Sequence, residues 1–185
     1  MNKGWVVLTV LITVALVAGF SVQAIAADHN YVGVKDCKMC HQAKDKGEQF
    51  QIWEKSKHAE AYKTLASDKA KEVGKAKGIA NPQESADCLK CHVTGYGLPA
   101  SRFGPNYVKE DGVGCETCHG PGADYKKITI MKDRQQAIAN GLIIPTADTC
   151  KQCHNAQSPT FPGSFNFDEM SKKIAHPVPK AAAAK

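Results

Sequence analysis

Arginine is nearly absent from this chain: Arg102 and Arg134 are the only two in 185 residues. With no arginine-rich arm and no recognition motif, nucleic-acid binding has no support. This holds although the formal net charge is +6 and lysines run along the whole length. Aromatic residues are also scarce, at 7%, and 15 glycines with 9 prolines interrupt long regular elements. A side-chain core built from so little is too thin to fold alone. No acid–base constellation is readable, so nothing points to a separate substrate pocket. There is no spare cysteine either, because one pattern uses all eight.

That pattern is C-x-x-C-H. It occurs as Cys37, Cys40 and His41; as Cys88, Cys91 and His92; as Cys115, Cys118 and His119; and as Cys150, Cys153 and His154. It is the attachment signature of a c-type haem. The two thiols add across the vinyl groups of the porphyrin, and the two intervening residues give the reach between those vinyls. The histidine that follows is then placed beneath the iron. Two four-cysteine zinc sites would use the same cysteines, as would four disulfides. Neither explains a histidine behind every pair, and a two-residue gap makes a strained disulfide loop. Four covalently bound haems are therefore expected. Each is a large apolar plate that replaces missing core, and each adds propionate charge that the composition does not register.

Residues 1–26 read as a secretory leader. Lys3 supplies the positive start, residues 5–20 are apolar apart from Thr9 and Thr13, and Ala24-Ile25-Ala26 fits the small-x-small cleavage rule. The run is short for a membrane span, which needs about 20 apolar residues. A retained leader would make the protein membrane-anchored. Export to the periplasm or beyond suits c-type haem attachment. The expected organisation is a signal peptide at 1–26, one tetrahaem domain at 27–177 and a disordered tail at 178–185.

The fold expected for the domain is mainly α with much irregular loop. Residues 42–66 have helical spacing, with Phe50, Trp53 and Lys57 on one face and His58, Ala61, Tyr62 and Leu65 on another. Residues 67–79 form a lysine-rich helix with little apolar face. Residues 85–92 make a short helical turn, and 93–111 are loop. Residues 123–140 are helix-compatible, with Gly141 as the C-cap. Thr146 starts another turn as N-cap, and 167–175 form a last helix before His176-Pro177.

Iron ligands are short. Four irons with two axial histidines each need eight, and the chain has seven. Four are spent in the motifs. His58 and His176 are candidate distal ligands, and His29 reads equally as a ligand or as an exposed terminal residue. Met131 and Met170 are the leading non-histidine candidates, because Met/His ligation is an established alternative. At least one haem must use another ligand or keep an open face.

The residues around the motifs resemble the tetrahaem cytochrome c-554 family over roughly 32–176. The resemblance rests on Trp53 and His58 after motif one, on Asp87-Cys88 through Val93 with Gly95-Tyr96-Gly97, on the 112–122 stretch, and on Phe167-Asp168-Glu169-Met170 before a histidine. It implies a mostly helical periplasmic electron carrier whose haems pack in close pairs. It makes His58 the distal ligand of the haem on His119, and His176 that of the haem on His154. It implies an open second haem, on His92. The family's distal histidine for the first haem follows motif three, and residues 124–134 of this chain contain none, so His29 or Met131 is left to serve the haem on His41. The expected partners are redox proteins that donate and accept electrons. Two alternatives stand beside the carrier. One is an extracellular filament subunit, in which a histidine such as His29 crosses to the neighbouring copy. The other is a haem enzyme reducing nitric oxide or nitrite at an open iron.

Overall fold

The computed structural model describes residues 28–176. The leader and the tail expected at the two ends lie outside the described residues. Within them the fold is helical: ten short α-helices, the longest of nine residues, joined by turns and loops. There is no named strand among the described residues, only a single bridge between Tyr31 and Phe103.

The helices are α1 (Val34–His41), α2 (Gln49–Glu54), α3 (Ala61–Thr64), α4 (Asp68–Ala76), α5 (Ala86–His92), α6 (Cys115–His119), α7 (Ile128–Met131), α8 (Arg134–Ala139), α9 (Ala147–Lys151) and α10 (Phe167–Lys172). Several begin where a polar side chain takes up the first free N–H groups. Ser67 Oγ accepts from Ala70 N at 3.2 Å to start α4. Asp133 Oδ1 accepts from Gln135 N and Gln136 N to start α8. Thr146 and Thr149 form a capping box on α9, and Asn166 caps α10.

Two expected helices are broken. The helical pattern of 42–66 divides into a turn at Lys44–Lys46, α2 and α3, with an irregular stretch between α2 and α3. The cause is tertiary. Val113 N donates to the His58 carbonyl at 3.0 Å, and Trp53 Nε1 donates to the Val113 carbonyl at 2.8 Å. The His58 carbonyl is thus shared between Val113 N and a tight-turn bond from Ala61 N at 3.2 Å, which is three residues on and not the four of a regular α-helix. The pattern of 123–140 is likewise split into α7 and α8, because the Asp133 cap restarts the helix.

The segment before motif three is thus threaded between its neighbours, and Gly112 permits it. Its φ is 69°, and a Cβ there would sit 2.9 Å from the His58 carbonyl oxygen. The glycine lets backbone approach backbone.

The core is thin. Among the described residues, Leu65, Leu89 and Val93 form a buried cluster, with Tyr62 and Cys88 packed against it. No large side chain among the described residues is sealed completely. At about 1.5–3 kcal/mol for each buried Leu or Val, such a core leaves much stability to be supplied by whatever the motifs hold. Helix α1 packs on α2 and α6, and α3 packs on α5. Motif one therefore lies against motif three.

Candidate haem sites

Each C-x-x-C-H begins within or opens its own short helix: α1, α5, α6 and α9. On a helix, positions three and four apart share a face. The two thiols and the histidine of each motif therefore project together toward one apolar plate and its metal.

Three of the four motif histidines have a fixed tautomer. His92 Nδ1–H donates to the Ala61 carbonyl at 2.7 Å, His119 Nδ1–H to the Ile143 carbonyl at 3.2 Å, and His41 Nδ1–H to Gln49 Oε1 at 3.1 Å. An imidazole bound through Nδ1–H presents its Nε2 lone pair to a metal. The His154 ring is fixed by stacking, on Phe165 at 5.1 Å and 22°.

Two further histidines face motif histidines. The ring centres of His58 and His154 are 6.1 Å apart, and those of His176 and His119 are 5.8 Å apart. Two imidazoles that share one ion through bonds of about 2 Å each hold their ring centres about 6 Å apart. The spacing fits an iron between each pair. Burial pushes the His58, His119 and His176 imidazoles below their ordinary value, favouring the neutral form that ligates. His176 Nδ1 is buried without a hydrogen-bond partner.

This arrangement exchanges the partners that the family resemblance implies. His58 stands against His154, not His119, and His176 stands against His119, not His154. Chain length explains the exchange. Phe165 already covers His154, and the chain then runs through α10 before His176 is reached. That run carries His176 on to His119.

Among the described residues, no histidine ring is set in this way against His41 or His92. His29 is half-buried, and its Nδ1 lies 2.7 Å from Asp124 Oδ2. Met131 closes α7, half-buried, and Met170 lies on α10 within 3.5 Å of Lys173 Nζ.

The thiols of different motifs also meet. The Cys37 thiol lies beside that of Cys115, and the Cys91 thiol beside that of Cys153. Cys150 is near enough to Cys118 to add to its cost of ionising. Burial pushes the Cys118 thiol up to about 11 and the Cys153 thiol up to about 12. The motifs thus pair as one with three and two with four, linked between three and four. They are not gathered in fours. Among the described residues, no group of three or more histidine, cysteine or carboxylate side chains is placed to hold a single ion.

One structural residue escaped the sequence reading. Glu116, an interior position of motif three, is only 3% exposed. Its carboxylate accepts from Val32 N at 2.9 Å, Gly33 N at 2.8 Å and Gly122 N at 2.6 Å. Burial pushes its carboxyl above the usual range against those three donors. It fastens the N-terminal arm to motif three. The only signal for it was an acid among glycines.

Comparison with known proteins points to one family. The family described as "Cytochrome c554 and c-prime" matches residues 36–120. Cytochrome c-554 of Nitrosomonas europaea is 30% identical over 202 aligned positions, covering 89% of this chain and 81% of that protein. The solved structure of reduced cytochrome c554 from Nitrosomonas europaea has a TM-score of 0.59 and 28% identity, covering 79% of this chain and 83% of its own.

Proposed function

Because this chain belongs to the cytochrome c554 family, a tetrahaem c-type cytochrome that carries electrons, we propose the following assignment of its residues and its route. The eight motif cysteines hold four haems, with His41, His92, His119 and His154 as proximal ligands. His58 is the distal ligand opposite His154, and His176 is the distal ligand opposite His119. His29 serves the iron on His41, and the iron on His92 keeps an open face. Haem c supplies a one-electron iron couple when bound.

The protein's own work is placement. Nδ1–H bonds orient the imidazoles of His41, His92 and His119, and Phe165 orients that of His154. Burial holds His58, His119 and His176 neutral. The thiol contacts bring motif one beside three and motif two beside four, so transfer steps within each pair are short. The electron route runs one, three, four, two, in either direction. The observation that carries this assignment is the pair of facing imidazoles at 6.1 and 5.8 Å.

Low-temperature electron paramagnetic resonance tests it. Three low-spin centres and one high-spin centre are expected. Four low-spin centres would overturn the open face at His92.

The absence of a facing imidazole at His92 favours a second reading for that one iron, the reduction of a small ligand. Carbon monoxide binding without turnover of nitric oxide or nitrite supports the carrier. Steady turnover of either would make the protein an enzyme.

The leader supports export to the periplasm or beyond. Among the described residues, no helix is long and apolar enough to cross a membrane. Mass spectrometry of the mature protein tests cleavage before Ala27. The partners are redox proteins that donate to and accept from the chain. The arm bearing His29 lies along its own subunit, bonded to Asp124, which favours a role in the same chain over a crossing one.

A further inference from the structure

The N-terminal arm is laced to motif three along its length. Ala123 N donates to the Asn30 carbonyl at 3.0 Å, and Val32 N and Gly33 N donate to Glu116. The Arg102 guanidinium reaches both Asp28 and the His29 carbonyl. Within this clamp the His29 side chain is 18% exposed. One edge of its ring donates Nδ1–H to Asp124 Oδ2 at 2.7 Å. Its face lies on Gly141, where a Cβ would come within 2.7 Å of His29 Cδ2 and 3.1 Å of Nε2. The clamped backbone, the carboxylate partner and the glycine lying on the ring together hold this imidazole in one orientation.

We propose that Asp124 is a positioning residue. It fixes the ring and tautomer of His29 so that Nε2 serves as the distal ligand of the iron on motif one. This rests on the reading above that His29 ligates the iron opposite His41. The choice of iron follows from placement. Motif one enters directly from the arm, and its helix α1 packs on α6 of the motif to which the arm is laced. His92 is held elsewhere, by the Ala61 carbonyl near the Leu65–Leu89 cluster. A carboxylate on the far nitrogen of a ligating histidine raises its basicity, and loss of such a partner weakens a metal ligand by about 10–100-fold. Asp124 therefore holds one of the four midpoint potentials down, by favouring the oxidised ion.

The test uses the four-haem holoprotein and two readouts: the count of low-spin centres by paramagnetic resonance, and the four midpoint potentials by spectroelectrochemical titration. Asp124→Asn keeps a hydrogen-bond acceptor and loses the charge. It is expected to keep the low-spin count and to raise one midpoint potential while leaving the others unmoved. Asp124→Glu restores the charge and returns that potential toward its original value. His29→Ala converts one low-spin centre to high-spin. Four unmoved potentials in Asp124→Asn, with His29→Ala still losing a low-spin centre, would overturn the role of Asp124 alone. An unchanged low-spin count in His29→Ala would overturn the ligand reading beneath it. So would a low-spin centre lost in Met131→Leu but not in His29→Ala. Asp124 is 43% exposed, so its variants are expected to fold, and four haems per chain checks that they have.

Discussion

His176 and His119 face one another with ring centres 5.8 Å apart, although 57 residues and four helices' worth of chain separate them. His176 follows α10, so the segment leaving that helix lies against motif three.

Replacing His176 with alanine should convert one low-spin haem to high-spin and open it to carbon monoxide. The identity of that haem is the sharper outcome. Nuclear magnetic resonance should show its shifted substituents in contact with Ile143, whose carbonyl accepts from His119. Contacts to Phe165 instead would restore the pairing with His154 and defeat the exchange described above.

Glu116→Gln should destabilise the holoprotein by about 1–3 kcal/mol, the cost of leaving a buried donor unsatisfied. One carboxylate oxygen takes Val32 N and Gly122 N, and the other takes Gly33 N. An amide must turn its NH₂ toward one of those donors. Chemical denaturation of the wild type and the variant measures the difference, and an unchanged midpoint would remove Glu116 from the framework.

Alkali should loosen the fold, and Tyr107 contributes to that. Burial first, then Glu110, Asp111 and other neighbouring groups, push its phenol up to about 12, from an ordinary value of 10.0. Its hydroxyl donates to the Thr94 carbonyl at 2.7 Å. Because the folded value lies above the unfolded one, its stabilising contribution is complete below pH 10 and is lost as the pH rises toward 12. Circular dichroism against pH should show a flatter alkaline decline for Tyr107→Phe than for the wild type.

The chain without haem should be unfolded or molten. Among the described residues its buried cluster is Leu65, Leu89 and Val93, and a core this small does not outweigh backbone entropy. Circular dichroism on haem-free protein decides it, and a cooperative native-like thermal transition would contradict the expectation.

The four motifs and their short helices were legible because their chemistry is local. The spacing of thiols and imidazole is carried by consecutive residues, and Thr146 marks the start of α9 by its side chain alone. The break between α2 and α3 was not legible, because its cause lies more than fifty residues downstream, at Val113. The juxtaposition of His58 with His154, and of His176 with His119, was not legible for the same reason. Either assignment uses the same four imidazoles, and only the path of the chain past Phe165 separates them. His29 read equally as a ligand or as an exposed residue, because its neighbours Asp124 and Gly141 both lie far along the chain.

The thiol contacts between motifs have a consequence for how the protein is made. Cys37 against Cys115, and Cys91 against Cys153, are neighbours once the chain has folded. In an oxidising compartment, neighbouring thiols are poised to form disulfides. A chain that folded before receiving its cofactors would be open to cross-linking motif one to three and two to four, sealing all four attachment points. A chain that receives its haems before it folds avoids this, and a weak apoprotein core becomes an asset because it keeps the cysteines apart until then.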